Sequence, residues 1–397
     1  MSFPRAARAA LAVPSCLPRI LAAFIVVVIL GGLFLSCGSS NNNNRQNGPS
    51  HNAYVTLPSD GSVRLLFING ATGELSLGAK TPTSENLSPT GLALLPSKKF
   101  LYVANARNNS ISTFNVATDG TLTLSSATPT AAGSGPTGLV IDPTGKFLLV
   151  TNVFSNDVSV FQIDPSSGAL TEVGGSPFFA HANPTEILIT ASGKFVYVSN
   201  PTLGRVTAFT FASASGALTE VTPGSPFLSG DGALGLAVDG SEHFLYVANP
   251  SASNLPALSN VGNVSAFSID QTTGALTQIA GSPFTASVGN NPAELAVDPR
   301  GQYLYAVTSG SSFSVWCFTI NSATGQLLTA SGSPFSVTAG NLFALIDPSG
   351  HFFYIGGGTA IAGYTYNQST GSPTAITNSP FSTGKPPTPP GKMVLSE

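Results

Sequence analysis

Groups able to move protons or hold charge are sparse in this 397-residue sequence, which has 15 Lys and Arg, 18 Asp and Glu, and four His. Hydrolysis of an acyl bond needs a base to activate water and a cation or other donor to receive the developing oxyanion. His181 or Glu186 is the candidate base and Arg205, or else Arg107, the candidate electrophilic partner. When the chain is aligned on its own internal repeat, Arg107, Asn156, Asp157, Asn183, Asp231 and Glu294 fall on or near the same face as His181, Glu186 and Arg205 and complete a candidate ligand-binding surface. Glu186 ("PTEI") and Glu294 ("PAEL") are singular, because sister copies of the repeat carry Gly or another residue there. His51, His181, His243 and His351 are dispersed, and neither an Asp-rich Ca²⁺ loop nor a Gly-rich phosphate loop is found. The expectation is a site without metal or other cofactor.

The elements that must position these residues follow from the repeat. "PTGLALLPSKKFLYVANARNNSISTFNVATDGTLTL" from Pro89 recurs as "PTGLVIDPTGKFLLVTNVFSNDVSVFQIDPSSGALTEV" from Pro136 and as "PTEILITASGKFVYVSNPTLGRVTAFTFASASGALTEV" from Pro184. Further copies begin at Ala233, Pro292 and Asn341, and a period of about 48 residues is the spacing of propeller blades. Each copy holds four short apolar runs separated by turn residues: "GLVID", the turn "PTGK", "FLLVTN", "VSVFQID", the turn "PSSGA" and "LTEV". Helical periodicity is absent. A four-stranded sheet with two apolar faces needs a neighbour on each side, and radial packing supplies both. The segment 53–83 lacks a first strand, and "PGKMVLSE" (Pro390 to Glu397) falls one repeat after Asn341. The expected fold is all-β, a seven-bladed β-propeller of four-stranded blades whose ring is closed by the C-terminal strand.

Ahead of the repeat, Arg5, Arg8 and Arg19 precede the apolar run Ile20 to Leu35, followed by "SCGSS" at Ser36. That order is a secretory signal ending at small residues, and it resembles a bacterial lipoprotein signal with Cys37 as the lipidation site. An uncleaved membrane anchor and ordinary secretion are the alternatives. The expected organisation is signal peptide 1–36, lipidated Cys37 and a polar tether over 37–52, and propeller over 53–397. The tether sequence "GSSNNNNRQNGPSHN" has no apolar period. The folded part would be held at the cell envelope by the lipid or anchor, facing the periplasm or exterior, as a monomer. Cys317 alone remains in the folded part and reads as a buried thiol. With a net charge of −3 and cations scattered singly, nucleic acid is excluded as a partner.

"FLYVANARNNSISTFNV", "FLLVTNVFSNDVSVFQI", "DPTGK" and "TGALTQIAGSPF" resemble the lactonase-like β-propellers, the 6-phosphogluconolactonase-type and YVTN-repeat proteins, over about 345 residues. The resemblance implies a His beside the Pro that opens an inner strand, a basic residue after strand two and carboxylates from a neighbouring blade. Here Thr90, Thr137 and Thr185 follow that Pro, Asn156 and Asp157 occupy the loop in blade three, and Arg205 is the best basic match. On these departures the expected function is binding or scaffolding, with an unknown small molecule, glycan or protein on the loop face. The alternative is a lactone hydrolase with a rearranged site.

Overall fold

The computed structural model describes residues 51–83, 88–126, 128–250, 262–285, 291–309, 313–338, 343–384 and 391–396. The expected signal, Cys37 and most of the tether lie outside them. The described residues form seven antiparallel sheets and no α-helix. In blades two to seven the strands lie in chain order from the axis outward, as in blade three with Pro136–Ile141, Phe147–Asn152, Asp157–Ile163 and Leu170–Glu172.

The second strand explains why the pattern reads as continuous rather than alternating. Phe100–Asn105, Phe147–Asn152, Phe195–Asn200 and Phe244–Asn249 are buried at every residue, because both of their faces meet a neighbouring blade. Each apolar cluster accordingly spans two blades. Tyr54, Val63 and Leu65 of blade one, for example, pack on Leu92, Leu101, Val103 and Phe114 of blade two.

Neighbouring blades are also joined by directed hydrogen bonds. The hydroxyls of Tyr54, Tyr102, Tyr197, Tyr246, Tyr305 and Tyr354 donate to the carbonyls of Gly120, Gly168, Gly274, Gly325, Gly371 and Gly73, each in the outer turn of the next blade. Burial raises the Tyr54 pKa to about 12, so the phenol keeps its proton and remains a donor. Between blades three and four the equivalent residue is Leu149, which has no hydroxyl.

Five blades carry a short fifth strand, a refinement of the four-stranded expectation. In four of them the outer strand is broken in two at an "SPF" triplet, as where Leu170–Glu172 and Phe178–Phe179 both pair with Asp157–Ile163. At the break, Ser176 Oγ accepts the Val160 N–H at 2.9 Å, and Ser225, Ser282, Ser333 and Ser379 repeat the bond. The triplet thus satisfies a backbone donor that an unbroken ladder would have paired.

The ring closes as expected. Met393–Ser396 pairs with His51–Leu57 in the register Val55↔Met393 to Asn52↔Ser396. The strand begins at His51, two residues before the expected start of the propeller, because Asn52 pairs with both Phe67 and Ser396. Cys317 is fully buried, and that burial pushes its thiol up to about 12.

Candidate functional site

Inner strands converge on the central channel, and one register position decides what lies there. The third residue of each inner-strand motif is Gly91, Gly138, Glu186, Gly235, Glu294, Phe343 and Lys392 in blades two to seven and one. Glycine is required where strands approach closely. A Cβ on Gly91 would lie 2.1 Å from the Thr137 carbonyl oxygen, and one on Gly138 would lie 2.6 Å from that of Thr185. Beside these glycines, threonine hydroxyls bond to the inner strand of the next blade. Thr56 Oγ1 donates to Thr90 O (3.1 Å), Thr90 Oγ1 to Pro136 O (2.9 Å) and Thr137 Oγ1 to Thr185 O (3.3 Å). These hydroxyls spend their proton on the scaffold.

At the same register, three blades instead send charged side chains to the axis. Lys392 Nζ lies 3.1 Å from Glu186 Oε2 and 2.9 Å from Glu294 Oε1. Lys392 stands on the closing segment, where its N–H donates to Thr56 Oγ1 and its carbonyl accepts from the Thr56 N–H, both at 3.0 Å. Burial lifts the Glu294 carboxyl to about 7; Lys392 opposes that shift and Glu186 adds to it. Burial disfavours the Lys392 ammonium, but the two carboxylates outweigh it and hold its pKa above the ordinary lysine value. All three side chains keep some contact with channel water, with exposures of 33% for Lys392, 32% for Glu186 and 18% for Glu294.

Glu186 and Lys392 open into a cavity of about 380 Å³ at the channel mouth. Its other walls include Thr90, Thr137, Thr185, Leu92, Leu139 and Met393. The volume lies in the range of small-molecule sites, and the mixture of apolar wall with a few convergent polar groups is typical of them.

The remaining sequence candidates do not join this site. His181 Nε2 meets Glu220 Oε1 at 2.9 Å and its ring packs on Phe179 at 4.8 Å. Arg205 Nη1 donates to the Pro226 carbonyl at 2.7 Å. The expected trio of His181, Glu186 and Arg205 is therefore split among three different partners. Asp157 accepts from Asn152 Nδ2 (2.7 Å) and Ser155 Oγ (3.1 Å). Asn156, at φ 64°, accepts the Asn183 N–H, while Asn183 Nδ2 donates to Val153 O and its Oδ1 accepts from Thr202. These two asparagines tie the loops of blades three and four together. The Asp231 loop abuts Gly204 of blade four. Arg107 opens on a separate polar cavity with Ser59, Gly61 and Ser88, divided from the channel mouth by Pro58.

Glu186 and Glu294 are thus brought together, and the residue that joins them is Lys392. In the sequence, Lys392 stands out only as part of the closing strand. The available signal was its register, two residues after Pro390, as Glu186 is after Pro184 and Glu294 after Pro292.

In comparisons with known proteins, no curated protein matches the sequence. Solved structures share the fold. One from Bacteroides uniformis, provisionally named a 6-phosphogluconolactonase, is 20% identical with a TM-score of 0.69, covering 88% of this chain and 100% of its own. A similarly named protein from Bacteroides fragilis is 18% identical with a TM-score of 0.72, covering 90% and 100%. The Pseudomonas aeruginosa periplasmic gluconolactonase is 17% identical with a TM-score of 0.69, covering 88% and 99%. The profile of the lactonase, seven-bladed β-propeller family matches residues 46–178, 175–283 and 261–387, and the chain belongs to that family.

Proposed function

We propose that the channel mouth hydrolyses a small, uncharged lactone. The observation that carries this reading is the Glu186–Lys392 pair opening into a cavity of about 380 Å³. Glu186 takes a proton from a water molecule as that water attacks the lactone carbonyl carbon. An ammonium has three donors, and Lys392 directs two at carboxylates. The third is left for the carbonyl oxygen and the oxyanion it becomes. Collapse of the tetrahedral intermediate breaks the ring C–O bond. The departing alkoxide takes the proton from Glu186, giving an open-chain hydroxy acid.

Substrate charge follows from the same cluster. Two carboxylates against one ammonium disfavour an anionic substrate, and Arg107 lies beyond Pro58, in the neighbouring cavity. Phosphorylated lactones are therefore poor candidates, in keeping with an exported chain. The signal-like N-terminus and the periplasmic gluconolactonase among the structural neighbours support export and anchoring at the cell envelope.

The test is turnover of D-glucono-1,5-lactone and 6-phosphogluconolactone by wild type, Glu186→Gln, Lys392→Met, His181→Ala and Arg205→Ala. The neutral lactone should be hydrolysed well above its spontaneous rate, with activity lost in the first two variants and kept in the last two. Tight binding without turnover in the wild type would replace hydrolysis with the binding reading.

A further inference from the structure

We propose that Glu294 is a positioning residue, holding Lys392 across the channel so that Glu186 remains free to act on water. The inference rests on the hydrolytic reading of the same cavity, but its observations are separate. Glu294 approaches Lys392 more closely than Glu186 does, 2.9 Å against 3.1 Å. It is the less exposed carboxylate, and it does not line the cavity that Glu186 and Lys392 share. It therefore stands behind the ammonium, with Glu186 and Lys392 toward the ligand.

Its position has a consequence for charge. An ammonium with a single carboxylate partner would draw that partner into a closed ion pair and depress its basicity. With a second carboxylate behind it, Lys392 shares its charge between Glu294 and Glu186. The charged groups bearing on Glu294 are Lys392 of blade one and Glu186 of blade four. The equivalent positions of the other blades, Gly91, Gly138, Gly235 and Phe343, carry no charge. Ionisation of Glu294 near pH 7 is thus the step that relieves Glu186, and turnover should rise through that pH.

The experiment measures kcat and KM for D-glucono-1,5-lactone against pH with the full chain as wild type, Glu294→Gln and Glu294→Asp. Glutamine keeps the size and an acceptor for Lys392 but loses the charge. Expected for Glu294→Gln is a kcat at least tenfold lower, a KM within about twofold, and loss of the rise near pH 7. Aspartate should restore part of both rate and pH limb. Unchanged kcat and pH profile in Glu294→Gln would overturn the proposal. If the wild type itself turns over nothing, the hydrolytic reading fails, and the positioning role is read separately from acetylation of Lys392 by acetic anhydride, quantified by mass spectrometry at pH 8. Loss of a carboxylate lowers the lysine pKa, so Glu294→Gln should be acetylated at least fivefold faster than wild type. An equal rate would overturn the role of Glu294 as well.

Discussion

Replacing Lys392 with Met tests whether the channel ions act as one electrostatic unit. Methionine keeps much of the side-chain length but leaves Glu186 and Glu294 facing each other without a cation. Removing one partner from a fully buried ion pair costs ~3–5 kcal/mol. Here side-chain exposures of 18–33% admit screening by channel water, so a loss of about 1–3 kcal/mol is expected. The sign with pH follows from the carboxyls. Glu294 already has a folded pKa raised to about 7, so the folded state prefers it protonated. Without Lys392 that preference deepens. The deficit of the variant should be small at pH 4.5, where both proteins keep Glu294 protonated, and should open as pH rises through about 7, where Glu294 ionises in the wild type alone. The raised pKa of Lys392 acts oppositely: its stabilisation is present below the unfolded lysine value of about 10.4 and is lost as pH climbs through the folded one. At roughly 2 °C per kcal/mol for a domain of this size, the thermal midpoint should fall by about 2–6 °C at pH 8 and much less at pH 4.5. Adding Glu186→Gln and Glu294→Gln to Lys392→Met should recover most of the loss, since no uncompensated charge then remains. An equal deficit at both pH values, or a triple variant no more stable than the single one, would refute the electrostatic account.

Three further outcomes are expected. Tyr305→Phe removes the donor to the Gly371 carbonyl and should lower urea stability by ~1–2 kcal/mol, with little change in the denaturant slope. Deleting Met393 to Glu397 removes the closing ladder and the buried Met393 and should cost roughly 5 kcal/mol, seen as a lower thermal midpoint. Cys37→Ser should release the protein from membranes or leave its signal uncleaved, while intact-mass spectrometry of the wild type should show acylation at Cys37.

The propeller was legible because every blade restates it. Strand two is an unbroken apolar run in copy after copy, the turns carry Pro and Gly at fixed offsets, and the orphan first strand could be found one period after Asn341. Single residues lacked that redundancy. His181 looked like a base because of its loop, but its partner Glu220 is 39 residues away on the next blade, a pairing set by blade packing. Arg205 looked like a free cation, but the break in the outer strand leaves the Pro226 carbonyl beside it. Glu294 and Lys392 are 98 residues apart and meet only because the ring is closed. Thr90 and Thr137 stood out for the imidazole they lack, whereas their hydroxyls serve as staples between inner strands.

The register position shared by Gly91, Gly138, Glu186, Gly235, Glu294, Phe343 and Lys392 is where stability and function part company. For the ring alone, glycine suffices at this position, and between blades two and three it is needed, since any Cβ at Gly91 would strike the Thr137 carbonyl oxygen. Placing three ionisable side chains there instead brings charge into a narrow channel, a change that raises the Glu294 pKa to about 7 and makes one residue of the closing strand depend on two distant blades. Uncharged side chains at these three positions would be no less stable by the general behaviour of buried ion pairs. Local departures from the stable choice concentrate at functional sites. Because Glu186 and Lys392 also open into the cavity that the inner strands leave, the proposed hydrolysis accounts for these charges better than the stability of the ring does.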